Sequence, residues 1–184
     1  MEIKKSRPPA ASFLFTHPAH FIACGLGSGL SPWAPGTAGT AAGWLLYLVL
    51  RPWFSELGFM LWLAATFVLG IWACDKTGRD LRVADHGSIV WDEIVPFWLV
   101  LFCTPAGPAW QLIAFLAFRF FDIVKPPPAR WADRNLKNGF GVMLDDLFAA
   151  LWSIAAIQLA AYALRFLDLH LPGLSRAAAA LGVA

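Results

Sequence analysis

The sequence predicts an all-α fold, a polytopic membrane bundle of about four to five hydrophobic helices with an acidic site on its cytoplasmic side. Three observations lead there. The composition is 59% hydrophobic and only 14% charged, with ten tryptophans and fifteen phenylalanines in 184 residues. A water-soluble domain needs polar surface to cover such a core, and the supply here is thin, so lipid is the expected solvent. Apolar runs approaching the roughly 20 residues of a bilayer crossing recur along the chain. Charge, finally, is concentrated in alternate connections between those runs.

Residues 1–20 read as a cytoplasmic lead-in: Pro8, Pro9 and Pro18 interrupt them, and the sustained apolar stretch of a cleaved signal is missing. The chain reaches the membrane around Phe21. Residues 38–50 form the first hydrophobic segment, short by itself and leaning on the Gly- and Pro-rich stretch before it; the 21–40 region either crosses or re-enters. Residues 58–74, 89–103 and 109–124 follow, then residues 142–167, the longest. Residues 172–184 read as a flexible tail. No repeat or low-complexity linker divides the chain, so residues 1–184 are read as a single membrane domain. Cys24, Cys74 and Cys103 are isolated and read as buried, inert thiols.

The connections set the sidedness. Lys4, Lys5 and Arg7 precede the first segment; Lys76, Arg79 and Arg82 lie between the second and third; Lys125, Arg130, Arg134 and Lys137 lie between the fourth and fifth. Of the opposite connections, one holds Arg51 and the other holds no cation. Positively charged connections stay cytoplasmic. The N-terminus and the 75–88 and 125–141 loops therefore share the cytoplasmic face.

Nine of the twelve acidic residues fall between positions 75 and 146, in or beside those loops. Asp75, Asp80 and Asp85 read as ordinary residues of an exposed loop. Asp92 and Glu93 open the third segment, Asp122 closes the fourth, and Asp145 and Asp146 open the fifth. One acid per helix start would serve capping, whereas adjacent acids repel unless a cation intervenes. Carboxylates within spans are usually functional, and oxygen-only donors without a His/Cys set point to magnesium, or manganese, over zinc. Asp92, Glu93, Asp145 and Asp146 are thus the expected metal ligands.

Cations stand beside these acids. Arg130, Arg134 and Lys137 recur at i, i+4 and i+7, one face of a short amphipathic helix after three prolines. They serve either attraction to the cytoplasmic leaflet or, with the acids, a phosphate site. Trp131 reads as an interfacial anchor. In GLGSGLSPWAPGTAGT, residues 25–40, the glycines allow close backbone approach and Ser28 and Thr37 are among the hydroxyls offered. The stretch is an anion-binding nest or a tight packing element, the two readings standing level. His86 donates a proton or caps a helix; His17, His20 and His170 have no assigned role.

Four stretches, GLGSGLSPWAPGTAGT, DHGSIVWDE, FDIVKPPPARWADRN and GFGVMLDDL, stand in an order and spacing that resemble the phosphatidylglycerophosphatase A family over roughly residues 21–164. The resemblance implies an all-helical, multi-pass, magnesium-dependent enzyme of the bacterial inner membrane. Such an enzyme removes the terminal phosphate of phosphatidylglycerophosphate at the cytoplasmic side, giving phosphatidylglycerol. By motif it carries over Asp92 and Glu93, the pair Asp145 and Asp146, and Arg119, Asp122, Lys125, Arg130 and Asp133. It leaves open which acids touch metal and which hold basic partners. KPPPAR is more proline-rich than the family's usual form.

On that reading the expected chemistry is phosphomonoester hydrolysis by magnesium-activated water. Asp92, Glu93, Asp145 and Asp146 act as ligands, Asp122 is the next candidate, and Lys125, Arg130 and Arg134 hold the phosphate. Water or His86 supplies the leaving-group proton, and an aspartyl-phosphate intermediate stays open. An ion-coupled transporter is the rival reading, disfavoured because the acids collect at one face. A broader lipid-phosphate phosphatase, a CDP-alcohol transferase (whose Asp-Gly-x2-Ala-Arg pattern is absent) and a scaffold are the others. The expected partners are the lipid substrate and the bilayer, with no nucleic acid; a homo-oligomer is left open.

Overall fold

A computed structural model describes residues 7–170, with side chains to residue 167. Lys4, Lys5 and the 172–184 tail lie outside the described residues. The chain forms α1 (Pro18–Ala23), α2 (Pro35–Leu50), α3 (Glu56–Leu81), α4 (Trp91–Cys103), α5 (Pro108–Val124), α6 (Ala129–Asn135) and α7 (Gly139–His170). Three short 3-10 segments join them, at Ala11–Phe15, Gly25–Leu30 and Arg51–Trp53. Among the described residues there is no strand, so the all-α expectation holds.

Each hydrophobic segment read from the sequence lies largely on one of the five longer helices, and their punctuation is local chemistry. Proline occupies the first turn of α2 and α5, where its missing N–H costs no hydrogen bond. Ser55 caps α3 by accepting the Gly58 N–H at 3.1 Å. In its last turns, ion pairs at four-residue spacing join Lys76 to Asp80 and Arg79 to Asp75. These carry the helix through Asp75 and Asp80 to Leu81, correcting the expected 75–88 loop; the connection is residues 82–90. Residues 11–23 are likewise structured. His20, unassigned from sequence, is buried, and its Nε2 lies 2.7 Å from Asp80 Oδ2 on α3.

α4 is the axis of the bundle. Ile94, Val95, Phe97, Trp98, Val100 and Leu101 are all buried, walled in by α2, α3, α5 and α7. Its buried indoles are satisfied: Trp98 Nε1 donates to the Gly43 carbonyl at 2.7 Å and Trp91 Nε1 to the Thr66 carbonyl at 3.2 Å. Gly36, Gly39 and Gly43 form a stripe on α2 facing Glu93, Val90 and Ile94; a Cβ on Gly39 would meet Val90 at 2.6 Å. This tight approach is the packing reading of the Gly-rich stretch.

Two helices, α3 and α7, are long and apolar enough to cross a membrane. Their most apolar windows are only 33% and 28% buried, which a core helix of a water-soluble domain would not be. Leu61, Val68, Leu112, Leu116, Leu151, Leu159 and Tyr162 lie exposed on α3, α5 and α7. Such a surface belongs against lipid, and the protein is membrane-associated. α2, α4 and α5, of 16, 13 and 17 residues, are shorter than a full crossing.

Candidate active site

α4 and α7 begin, and α3 and α5 end, at the same end of the bundle. Asp92 and Glu93 stand in the first turn of α4, Asp122 in the last turn of α5, and Asp145 and Asp146 in the second turn of α7. Asp92, Asp122, Asp145 and Asp146 are 6%, 8%, 3% and 2% exposed, so the charges are enclosed by protein. Enclosed charges require partners, and the partners divide the cluster in two.

One half is closed on itself. Arg119 Nη1 lies 2.8 Å from Glu93 Oε2 and 2.8 Å from Asp122 Oδ2, so one guanidinium bridges α4 and α5. The Thr40 hydroxyl on α2 donates to Glu93 Oε2 at 3.1 Å. Gly36 lies so close to the Glu93 carboxylate that any Cβ there would collide with it. Of the Gly-rich stretch, then, Thr40 and Gly36 touch the acids; the sequence offers both among its hydroxyls and glycines but does not mark them above Ser28 and Thr37. Ser28 spends its hydroxyl on the Gly25 carbonyl at 2.8 Å. Thr37 sits half-buried in the first turn of α2, without a side-chain hydrogen bond among the described residues.

The other half is open in charge. Lys125 pairs with Asp145 and lies 3.6 Å from Asp133 Oδ1. Burial opposes its charge, but the carboxylates of Asp146, Asp145 and Asp85 hold its ammonium above the ordinary lysine range. Asp92 and Asp146 have no cation in contact among the described residues, and the buried Asp92 Oδ1 has no hydrogen-bond partner at all. No three His, Cys, Asp or Glu side chains among the described residues already converge as a metal set. The expected four ligands are therefore brought to one end but not to one point: Glu93 turns to Arg119 and Asp145 to Lys125.

Around the rim, Arg130 donates to the Val124 carbonyl at 2.9 Å, and Arg134 is exposed on α6. α6 ends at Asn135, so Lys137 lies beyond it rather than on its face, 3.8 Å from Asp133 Oδ1. His86 is buried and accepts the Ser88 N–H on Nδ1 at 3.1 Å, holding the turn before α4. Burial keeps its imidazole below the ordinary value, and Asp85 opposes this. Asp85, read as an ordinary loop acid, stands at the mouth of the cluster with Asp133 and Asp145. It keeps open surface there, yet crowding by its surroundings raises its carboxyl above the usual range, with Lys125 opposing.

Fold and site together define a helical, membrane-associated protein whose one working end is an enclosed set of carboxylates edged with cations. The chain belongs to the phosphatidylglycerophosphatase A family, whose model matches residues 21–161. It is 44% identical over 150 residues to the phosphatidylglycerophosphatase A of Haemophilus influenzae, covering 81% of this chain and 92% of that protein. It is 43% identical over 144 residues to the phosphatidylglycerophosphatase A of Escherichia coli K12, covering 75% and 80%. It is 38% identical over 150 residues to a Bacteroides thetaiotaomicron protein provisionally named a phosphatidylinositol-3-phosphatase, covering 76% and 91%. No solved structure matches the chain.

Proposed function

We propose that this protein hydrolyses the terminal phosphomonoester of phosphatidylglycerophosphate to phosphatidylglycerol and phosphate, with the acid cluster as its active site and magnesium as its cofactor. The activity is the one its Haemophilus and Escherichia relatives are named for, and family membership brings it to this chain. The observation that supports siting it in the cluster is Asp92: an enclosed carboxylate with an orphan oxygen, close to Asp146 and with no cation in contact among the described residues. Such a charge persists only if something positive completes the site.

A magnesium ion fits in charge and donor type. Five carboxylates at the cluster face two cations, Arg119 and Lys125, and all the unpaired donors are hard oxygens. Asp92 and Asp146 would hold it; Glu93 and Asp145 join only by leaving Arg119 and Lys125. Bound there, the ion would polarise the phosphoryl group and activate water. Lys125, already between Asp133 and Asp145, neutralises phosphate oxygens as they enter. Arg130 and Arg134 offer further cations at the rim. Arg119 acts by fixing Glu93 and Asp122, not by touching phosphate. His86, with Nδ1 already accepting a hydrogen bond and its imidazole kept neutral, serves the turn before α4 better than it serves as a proton donor.

The finer topology belongs to the same reading. The described residues form one domain with all five hydrophobic helices in the bacterial inner membrane, α4 shielded by the others. The acid end, which carries Arg79, Arg82, Lys125, Arg130, Arg134 and Lys137, faces the cytoplasm. Phosphate release from phosphatidylglycerophosphate by purified protein in neutral detergent tests the proposal. Release with magnesium and none with chelator is expected; no release in either overturns it. A phosphoinositide 3-phosphate is the second substrate to assay, given the Bacteroides relative's name.

A further inference from the structure

Three cavities lie side by side at the acid end. The smallest, of roughly 10 Å³, sits between Asp85, Asp133 and Asp145 and has space for about one water. The next, of roughly 210 Å³, lies between the end of α3, the loop after it and the start of α7. Arg79, Arg82 and Lys137 line it with the acid Asp75, which is already tied to Arg79 at 3.1 Å. It shares Ala84 and Lys137 with the smallest cavity. The third, of roughly 360 Å³, is an open groove whose apolar wall is Val68, Ile71, Trp72 and Phe140. It shares Asp75, Asn138 and Gly139 with the second. Apolar groove and basic cavity are therefore contiguous. A space the size of about one water, edged by Ala84 and Lys137, separates the basic cavity from Asp85, Asp133 and Asp145. Groove and basic cavity have no part in the reaction as described above.

The backbone adds an independent sign. Arg82, at the C-cap of α3, has φ +56°, the left-handed region where helix ends ordinarily place glycine. Lys125 stands in the same position at the end of α5, with φ +47°, and its ammonium holds Asp145. Such backbone outliers cluster at functional sites. Of the four non-glycine residues in that left-handed region among the described residues, Leu26, Ala34, Arg82 and Lys125, the two that cap helices ending beside the acids are both cations.

We infer that the basic cavity is a subsite for the phosphodiester of a diacyl-glycerophospholipid, with the apolar groove receiving the start of its acyl chains and the terminal phosphomonoester passing on to the carboxylates. This rests on the phosphatase reading and extends it: the enzyme recognises a lipid by its diester as well as by the phosphate it removes. The charges match, since the diester is anionic and, with Arg79 tied to Asp75 and Lys137 to Asp133, Arg82 is the lining cation with no ion pair among the described residues. The groove matches too, since Trp72 and Phe140 are each 45% exposed on the lipid-facing side. From Val68 to Arg82 the helix rises about 21 Å, so the groove leads from the hydrocarbon up to the surface.

The test uses neutral detergent micelles at fixed ionic strength, so that attraction to an anionic leaflet plays no part. Wild type, Arg82→Gly, Arg82→Lys and the double variant Arg82→Gly/Lys137→Ala are assayed on phosphatidylglycerophosphate. Phosphatidylglycerol, which has the diester but no monoester, serves as competitive inhibitor. Arg82→Gly is expected to raise KM about tenfold, or about 1.4 kcal/mol, with kcat changed by less than about twofold. Inhibition by phosphatidylglycerol should weaken by a similar factor, and Arg82→Lys should recover most of both. Because glycine relaxes the backbone there, the thermal midpoint should not fall, which separates lost recognition from lost folding. Unchanged KM and unchanged inhibition in the double variant overturn the diester subsite while leaving the phosphatase reading intact. A wild type that releases no phosphate overturns the phosphatase reading and the subsite with it.

Discussion

The two halves of the acid cluster solve the same electrostatic problem in opposite ways. Glu93 and Asp122 share Arg119, and Thr40 adds a hydroxyl, so both carboxylates of that half have a cation against them as the chain folds, although Arg119 Nε itself has no hydrogen-bond partner among the described residues. Asp92 and Asp146 are at least as enclosed, yet have no cation against them among the described residues. A buried charge with its partner built in holds helices together; one without a partner is kept in readiness for something that arrives. The difference teaches that enclosure alone does not mark a working carboxylate. Enclosure without a contacting cation is what supports the proposal for Asp92 and Asp146.

Substitutions can break this contrast. The largest effect is expected from Asp92→Asn and Asp146→Asn, each lowering kcat for phosphatidylglycerophosphate by about 10³ or more, on the scale of lost electrostatic stabilisation. Asp92→Asn should melt no lower than wild type in magnesium-free detergent, because a buried charge with an orphan oxygen has been removed; full activity in both variants would erase the distinction. Arg119→Met should act the other way, costing about 3–5 kcal/mol of stability by stranding Glu93 and Asp122. Denaturant titration measures that, and adding Glu93→Gln with Asp122→Asn should restore much of it. Magnesium at about 100 times its dissociation constant should stabilise wild type by about 2.7 kcal/mol, and Asp92→Asn far less, read as the shift in thermal midpoint. Thr40→Val should cost about 1 kcal/mol, the worth of one hydrogen bond.

The smallest effect is a pH dependence. Burial lowers His86 from its ordinary 6.5, so the folded chain favours the neutral ring. The stability this represents is complete above 6.5 and is lost as pH falls from there through the lowered folded value. His86→Gln should therefore flatten the stability curve between about pH 7 and 5, measured by melting at each pH. A curve parallel to wild type would show that the ring is not constrained by the turn it caps.

Much of this was legible in the chain. Successive antiparallel apolar runs must bring the start of one and the end of the next to the same side, so Asp92, Glu93, Asp122, Asp145 and Asp146 were bound to meet at one end. Their pairing was not legible, because it depends on side-chain reach across helices. Thr40 lies 53 positions from Glu93 in a stretch rich in other hydroxyls, and nothing local distinguishes it from Thr37. Asp85 reads like Asp75 and Asp80 in sequence, but those two ride on α3 while Asp85 falls beyond the Arg82 cap and turns to the acids. Arg119 was legible only through the motif it shares with the family, as a residue of the site, and its geometry supports a brace between Glu93 and Asp122.

The brevity of α4 has a consequence for the lipid around it. Thirteen residues rise about 20 Å, whereas a hydrocarbon core is about 30 Å thick. In the proposed topology, with its far end level with the outer boundary, its acidic first turn would lie about 10 Å beneath the inner one, at the floor of a dimple rather than at the water's edge. A headgroup would then sink to meet its enzyme, and a thicker bilayer should slow turnover by holding the lipid too high.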